Sequence, residues 1–426
     1  MNWREFRQVG HWPTLLSAFL YFDVSFMVWV MLGPLAAYVG KALELPVEEM
    51  FTVVAIPILA GAVLRIPMGM LADHVGPKRT GQLGQSIVIL GLAYAWIFGL
   101  QSKLQVELFG IVLGVAGASF AVALPQASRW YPPKYQGIVL GITGAGNSGV
   151  VLASLFVPTL AEALSWQQVF GVMLIPLVIV FVLYSLMAKD APDKRAPVTL
   201  ANYAAVLRDR DTWWFMFFYS ITFGGFVGLS SALPLYFMTW YSASGVAAGL
   251  MVALVVFGGS AFRPIGGWLA DRFGGLRLLQ ILFALVALAY LTMAFLPKGP
   301  APMADVVAVA KVSGWAFVDL PGVAWVAVAV FFVGAMGLGM GNGSVFQLVP
   351  LRFRHEIGVM TGLVGAAGGV GGFFLAKALG MSKDVTGGFT AGFSVFAALA
   401  IVGLIGIVAV KTRWRTTWGA ASGARV

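Results

Sequence analysis

Three ionisable side chains stand inside long apolar runs, and any chemistry in this chain starts from them. They are Asp23 in "YFDVSF" (21–26), Arg65 in "AGAVLRIPMG" (60–69) and Arg263 in "SAFRPIGGW" (260–268). Arginine stays protonated under any cellular condition, so burial cannot neutralise it. Two such cations call for an anion. The guanidinium fork suits a planar oxyanion bidentately, where lysine would offer only a point charge. No further deep cation is available, so a phosphate ester or dicarboxylate would be short of both charge and donors. Asp23 has two readings: a salt-bridge or helix-packing acid, or a protonatable group. Other chemistries lack their residues. There is no cysteine, which excludes disulfides and thiolate sites. His11, His74 and His355 fall at helix ends or loops, which argues against a proton relay through them. With no paired-acid cleft, metal set or nucleotide loop, we expect no catalytic residue, no metal site, no cofactor and no enzyme.

The elements that hold these three residues are membrane helices. Of 426 residues, 60% are hydrophobic and only 10% charged, with a mean hydropathy of +0.89. A soluble surface of this length needs far more charge. Apolar runs long enough to cross hydrocarbon recur at 13–39, 50–73, 81–101, 106–128, 137–162, 167–188, 212–240, 246–270, 277–296, 322–350, 357–379 and 388–410. The expected fold class is an all-α integral membrane protein with twelve transmembrane helices. The first apolar stretch is too long for a signal-peptide core, so it is expected to persist as the first span. If both termini are cytoplasmic, nineteen Lys and Arg lie on that side and six outside: Lys41, Lys103, Lys298, Lys311, Lys377 and Lys383. That bias obeys the positive-inside rule in a cytoplasmic membrane. The net charge of +10 is therefore mostly an orientation signal and implies no nucleic-acid partner.

The chain also repeats itself. "LRIPMGMLADHVG" (64–76) matches "FRPIGGWLADRFG" (262–274), and "GIVLGITGAG" (137–146) matches "GVMTGLVGAA" (358–367). The offsets differ because of an outer loop at 297–321 that the first half lacks; it has the composition of a short surface helix and no assigned role. Two pseudo-symmetric six-helix halves, 1–187 and 212–426, joined by a cytoplasmic linker at 188–211, form the parallel-repeat plan of a secondary transporter. On that plan Arg65 and Arg263 face each other across a central cavity. The glycine-rich stretches "GITGAGNSG" (141–149) and "GLVGAAGGVGG" (362–372) allow close helix approach and leave room only for something small.

"GMLADHVGPKR" (69–79) and its copy "GWLADRFGGLR" (267–277) resemble the loop motif of the major facilitator superfamily. The motif places Asp73, Arg79 and Asp271 at a cytoplasmic gate, where Asp73 can pair with a cation or a helix N-terminus across the seam. Further stretches resemble the nitrate/nitrite porter (NarK-type) family of that superfamily. They are "GAGNSG" (144–149), which opens on Gly144, "GAAGGVGGFF" (365–374), which opens on Gly365, "GNGSVFQ" (341–347) and "FFYSITFGGFVGLSSALP" (217–234). The resemblance implies nitrate and nitrite as substrates. It implies that Arg65 and Arg263 clamp the anion, that Tyr219 donates a hydrogen bond, and that Asn147 lies beside the substrate. Phe26, Phe120, Phe223 and Phe346 then bound the pocket. Nitrate is flat and weakly hydrated, and aromatic edges carry partial positive charge that complements it.

The coupling stays open between two schemes. Two unpaired arginines repel and lack solvation, which resists closure of an unloaded carrier and favours nitrate/nitrite exchange. "YFDVSF" instead resembles the branch associated with proton symport, with Asp23 carrying the proton and nitrate taken up. Protons and membrane lipids are thus further partners, and a monomer is the default for this architecture. Two other readings are a transporter-like anion sensor and a carrier of another small anion such as formate.

Overall fold

In the computed structural model, residues 3–132, 135–192, 199–298, 322–353 and 356–420 are described. All regular structure among them is helical. Twelve helices are long and apolar enough to cross a membrane: Trp12–Ala42, Val47–Val75, Pro77–Phe98, Lys103–Ser128, Ile138–Ala163, Gln168–Met187, Arg210–Trp240, Gly245–Phe273, Gly275–Phe295, Gly322–Arg352, Ile357–Thr386 and Thr390–Gly419. We call them spans 1 to 12. Helices suit this composition because hydrocarbon satisfies no backbone N–H or C=O, so each span must bond its own. With an even number of spans, both ends of the described chain lie on one face, the terminal face. The expected loop at 297–321 falls almost wholly outside the described residues. Span 12 runs to Gly419, about two and a half turns beyond its expected end.

Burial sorts the spans into a centre and a periphery. Within its apolar window span 7 is 94% buried, span 1 78% and span 4 72%, against 33% for spans 3 and 6. The first three therefore enclose the interior, and the last two face outward with exposed Leu90, Ile97, Ile175 and Leu186.

Spans 1, 4 and 5 are each broken, which the hydropathy pattern does not reveal. Span 1 is two helices, Trp12–Trp29 and Leu32–Ala42. Pro34 has no N–H to give the Val30 carbonyl, which takes the Gly33 N–H at 2.9 Å instead. Span 4 divides into Lys103–Gly117 and Phe120–Ser128. There the Ala121 N–H bonds Ala118 rather than Gly117, and the Gly117 carbonyl is free for another donor. Span 5 passes through a 3₁₀ turn, Ala145–Ser148, between Gln136–Gly144 and Gly149–Ala163. The Gly-Asn motif thus lies on tightened, non-α backbone.

The first six spans meet the last six along paired helices. Gly369 of span 11 abuts Ala62 of span 2, and Gly249 of span 8 abuts the Ser154 carbonyl of span 5. A side chain at either glycine would collide with the facing helix, so these contacts require hydrogen there. Away from the terminal face the seam is further closed by Gly33 against Ser231, Gly380 against Phe51, and the Lys377 ammonium donating to Thr52 at 2.6 Å. Toward the terminal face a crevice of about 30 Å³ remains among Gly69, Asp73, Arg129, Tyr203, Gly358 and Gly362. That volume suits a water or two.

Candidate functional site

Arg65 is fully buried in the middle of span 2. Its Nε donates to the Gly117 carbonyl at 3.3 Å, the one released by the break in span 4. Its Nη1 donates across the seam to the Gly365 carbonyl of span 11. Three rings surround its guanidinium carbon: Phe223 at 4.9 Å, Phe120 at 5.0 Å and Trp29 at 5.5 Å. Ring faces attract a cation most where water is excluded. The Trp29 indole is itself fixed by donating to the Pro57 carbonyl at 2.7 Å.

Arg263, 8% exposed on span 8, lies 5.9 Å from the same Phe120 ring. Its Nη2 donates to the Tyr219 hydroxyl at 3.4 Å. That hydroxyl accepts, so its own proton is free to be donated elsewhere. The Tyr219 ring stacks on Phe223 at 5.2 Å and 2°, and Phe346 stands edge-on to Tyr219 at 5.0 Å and 5.9 Å from Phe120. Phe26 meets the outer edge of this group, 6.4 Å from Phe223. Gly365 and Gly144 allow the arginines to lie close: a Cβ there would stand 3.2 Å from Arg65 Nη1 and 3.7 Å from the Arg263 guanidinium carbon.

Among the described residues no carboxylate lies within salt-bridge distance of either arginine. Among the described residues Arg65 Nη2 and Arg263 Nη1 have no hydrogen-bond partner, and neither has either amide atom of the fully buried Asn147. An unsatisfied buried donor costs about 1–3 kcal/mol, and more when charged. Such a concentration of unmet donors beside two cations suits a small anion. The structure changes one detail of the expected clamp. Backbone carbonyls engage Nε and one N–H of Nη1, which leaves Nη2 as the wholly unpartnered Arg65 nitrogen among the described residues in this closed arrangement.

Asp23 forms no ion pair with either arginine. Its carboxylate accepts the Ser148 hydroxyl at 2.7 Å and a hydrogen bond from the Gly149 N–H, so span 5 supplies its partners. It makes no ion pair among the described residues. Both ends of the Asp23–Ser148 contact adjoin residues of the site, Phe22 and Asn147, through the sequence itself.

At the terminal face Asp73 pairs with Arg129 of span 4. This corrects the expected pairing across the seam: the partner belongs to the same six spans, and the pair faces span 11 over the crevice. Arg79 is exposed and joins no ion pair among the described residues; Asp271, also exposed, accepts from Gln347 of span 10.

Sequence reasoning passed over three contributors. Trp29 and Phe22 (ring centroid 5.6 Å from Phe120) are aromatics among many, with no charge to mark them. Tyr203, on the short linker helix Leu200–Leu207, is 7% exposed and closes the crevice beside Gly69 and Gly362. Burial first, and then the Asp73 carboxylate, push its phenol above the usual value. A lone tyrosine in a polar linker carries no signal for that docking.

A twelve-span bundle with an arginine-lined, closed interior between its two sets of six defines a membrane carrier, and known proteins agree. Residues 15–376 match the family model described as Major Facilitator Superfamily. The chain is 33% identical over 386 residues to "Probable nitrate/nitrite transporter NarK2" of Mycobacterium tuberculosis, covering 89% of this chain and 91% of that one. It is 31% identical over 389 residues to "Nitrite extrusion protein" of Bacillus subtilis, with 90% of each covered. It is 29% identical over 401 residues to "Probable nitrate/nitrite antiporter NarK1" of Thermus thermophilus, covering 91% and 88%. The solved structure of a D-xylose-proton symporter superposes with a TM-score of 0.71 at 14% identity, over 93% of this chain and 97% of that one. The chain belongs to the Major Facilitator Superfamily and, within it, to the nitrate/nitrite porter family.

Proposed function

We propose that this protein carries nitrate, with nitrite as a second substrate, across the cytoplasmic membrane by alternating access. In this reading both termini are cytoplasmic, residues 1–187 and 212–426 move as two bodies around the linker 188–211, and nitrate is taken up with a proton. Arg65 Nη2, Arg263 Nη1 and the Tyr219 hydroxyl donate in the plane of the ion. Phe120, Phe223, Phe346 and Phe26 wall it, Asn147 lies beside it, and Gly144 and Gly365 leave the arginines room. Asp23 holds the coupled proton. Asp73, Arg79 and Asp271 serve the cytoplasmic gate.

The observation that carries this reading is the pair of buried arginines whose free nitrogens find no carboxylate and no carbonyl among the described residues. A small oxyanion satisfies them; a neutral sugar would leave two buried cations unpaired.

Nitrate/nitrite antiport is the second reading, favoured by the lack of an ion pair between Asp23 and either arginine among the described residues. Uptake into proteoliposomes, with and without internal nitrite and with and without a pH gradient, separates the two. Symport requires gradient-driven nitrate uptake without internal nitrite; uptake only against internal nitrite establishes exchange. Saturable binding of formate or another carboxylate, with none of nitrate or nitrite, overturns the substrate. Binding without any transport leaves a sensor.

A further inference from the structure

We infer that Thr222, Ser260 and Asn342 form a second, uncharged subsite for the same oxyanion. It lies one helical turn from the arginine pair, on the side away from the terminal face. The ion's identity rests on the nitrate reading above; the subsite itself rests on where these three side chains lie.

Each is the next-turn neighbour of a residue in the arginine site. Span 7 leaves the terminal face, so Thr222 stands one turn beyond Tyr219. Spans 8 and 10 approach that face, so Ser260 and Asn342 stand one turn short of Arg263 and Phe346. Tyr219 touches both of the others, Arg263 through a hydrogen bond and Phe346 through a ring pair. Their next-turn neighbours therefore lie one level further from the terminal face.

The direction of Asn342 follows from its own helix. A Cβ on Gly341 would strike the Thr222 methyl of span 7, and one on Gly343 would strike the Arg263 carbonyl of span 8. Position 342 is offset by roughly 100° from each, so its amide points between spans 7 and 8. Phe346, one turn on, uses the same sector to reach Tyr219 and Phe120.

Among the described residues none of the three finds a partner. Asn342 is 0% exposed, Thr222 2% and Ser260 5%, and both amide atoms and both hydroxyls lack partners. Helix hydroxyls ordinarily return to their own backbone. Ser220, Ser230 and Thr239 of span 7 do so, at 2.7, 2.8 and 2.8 Å. Thr222 and Ser260 instead keep their protons available. Two hydroxyls and an amide supply donors without charge, which suits an ion that has to be released again. An ion that leaves two arginines in one step meets a steep barrier; a neutral site on the way divides it, as multi-site pathways do.

The test compares binding with turnover in the full-length protein. Thr222→Val is isosteric and replaces the hydroxyl by a methyl; Asn342→Leu keeps the γ-branch and heavy-atom count and removes the amide. Nitrate affinity is measured on purified protein, and nitrate exchange in proteoliposomes, per folded molecule. The subsite predicts affinity within about twofold of wild type, since the arginines are untouched, and exchange slowed roughly tenfold by either change. The double variant should be slower still. The melting temperature of Thr222→Val should hold or rise, because an unpartnered buried hydroxyl is gone. Wild-type exchange in both variants overturns the subsite. So does affinity falling in step with exchange, which would make these residues part of the arginine site. If wild type binds formate but neither nitrate nor nitrite, the nitrate reading fails alone; the same split between formate affinity and exchange then supports the subsite, and its absence rejects it.

Discussion

Gly144 and Gly365 open the two glycine-rich motifs, yet the structure separates what an added methyl does at each. At Gly365 an alanine Cβ would stand 3.2 Å from Arg65 Nη1 and 3.4 Å from both Arg65 Cδ and Phe120 Cε1. Comfortable contacts begin near 3.5 Å, so something must move by a few tenths of an ångström. Arg65 has nowhere to go: Gly117 holds its Nε, and Phe120, Phe223 and Trp29 enclose its plane. The cheapest response breaks one charge-assisted bond to a carbonyl, about 1.5–3 kcal/mol, and misdirects Nη2. At Gly144 the same methyl sits 3.7 Å from the Arg263 guanidinium, an ordinary contact. Gly365→Ala should therefore weaken nitrate binding about ten- to a hundredfold, and Gly144→Ala by about twofold or less. Calorimetric titration of purified protein reads both. Helix propensity favours alanine by about 1 kcal/mol, which offsets only part of that loss, so a melting scan should show Gly365→Ala folded and destabilised by no more than about 2 kcal/mol. Wild-type affinity in Gly365→Ala, or equal losses in the two variants, would refute the reasoning.

Arg65→Lys replaces three nitrogens by one, which cannot serve Gly117, Gly365 and an anion together; nitrate counterflow should fall below about a hundredth of wild type. Arg263→Lys should fail comparably, and counterflow near wild type in either variant sinks the clamp. Asp23→Asn keeps a partner for Ser148 and removes the titratable group, so uptake driven by a pH gradient should vanish while exchange between preloaded vesicles persists. Gradient-driven uptake that survives in that variant assigns Asp23 to packing. His11 accepts the Thr14 N–H at 3.2 Å to cap span 1, and burial, with Lys189 beside it, lowers its pKa from 6.5. The unfolded chain then takes up the proton more readily, so the cap's stability is present above about pH 6.5 and lost as pH falls below it. The melting temperature should drop from pH 7 toward about pH 5.5 in wild type and stay flatter in His11→Asn; parallel curves would clear His11 of that role.

The fold was legible because hydropathy alone marks a span, and every expected run is a helix in the structure. Arg65 and Arg263 were legible because a charge among apolar residues has no innocent explanation in hydrocarbon. What satisfies them was hidden for the opposite reason. Gly117 and Gly365 contribute carbonyls, which every residue has, and only the backbone path decides whose carbonyl is spare. The break at Val30 was written in Pro34 but overshadowed by the apolar run around it. Asp73 showed its need for a cation; which of the nearby cations it would take depends on how spans 2 and 4 pack. Thr222, Ser260 and Asn342 are polar residues of ordinary type, and their significance comes only from lacking partners once the helices are assembled.

The Arg65–Gly365 hydrogen bond joins residues 300 positions apart, and that separation is also a delay. At about 5–20 residues per second, synthesis needs roughly 15 to 60 seconds to reach Gly365 after Arg65 has been made. Phe223, another of its neighbours, is late as well. Through that interval the first half must shelter a cation worth about 3 kcal/mol of insertion penalty with what it has already made. Gly117 arrives 52 residues after Arg65, and Trp29 is already in place. The carbonyl released by the break in span 4 thus serves the nascent chain before any anion arrives, so a change that straightens that helix should show first as poor insertion, in a protein that has not yet had anything to transport.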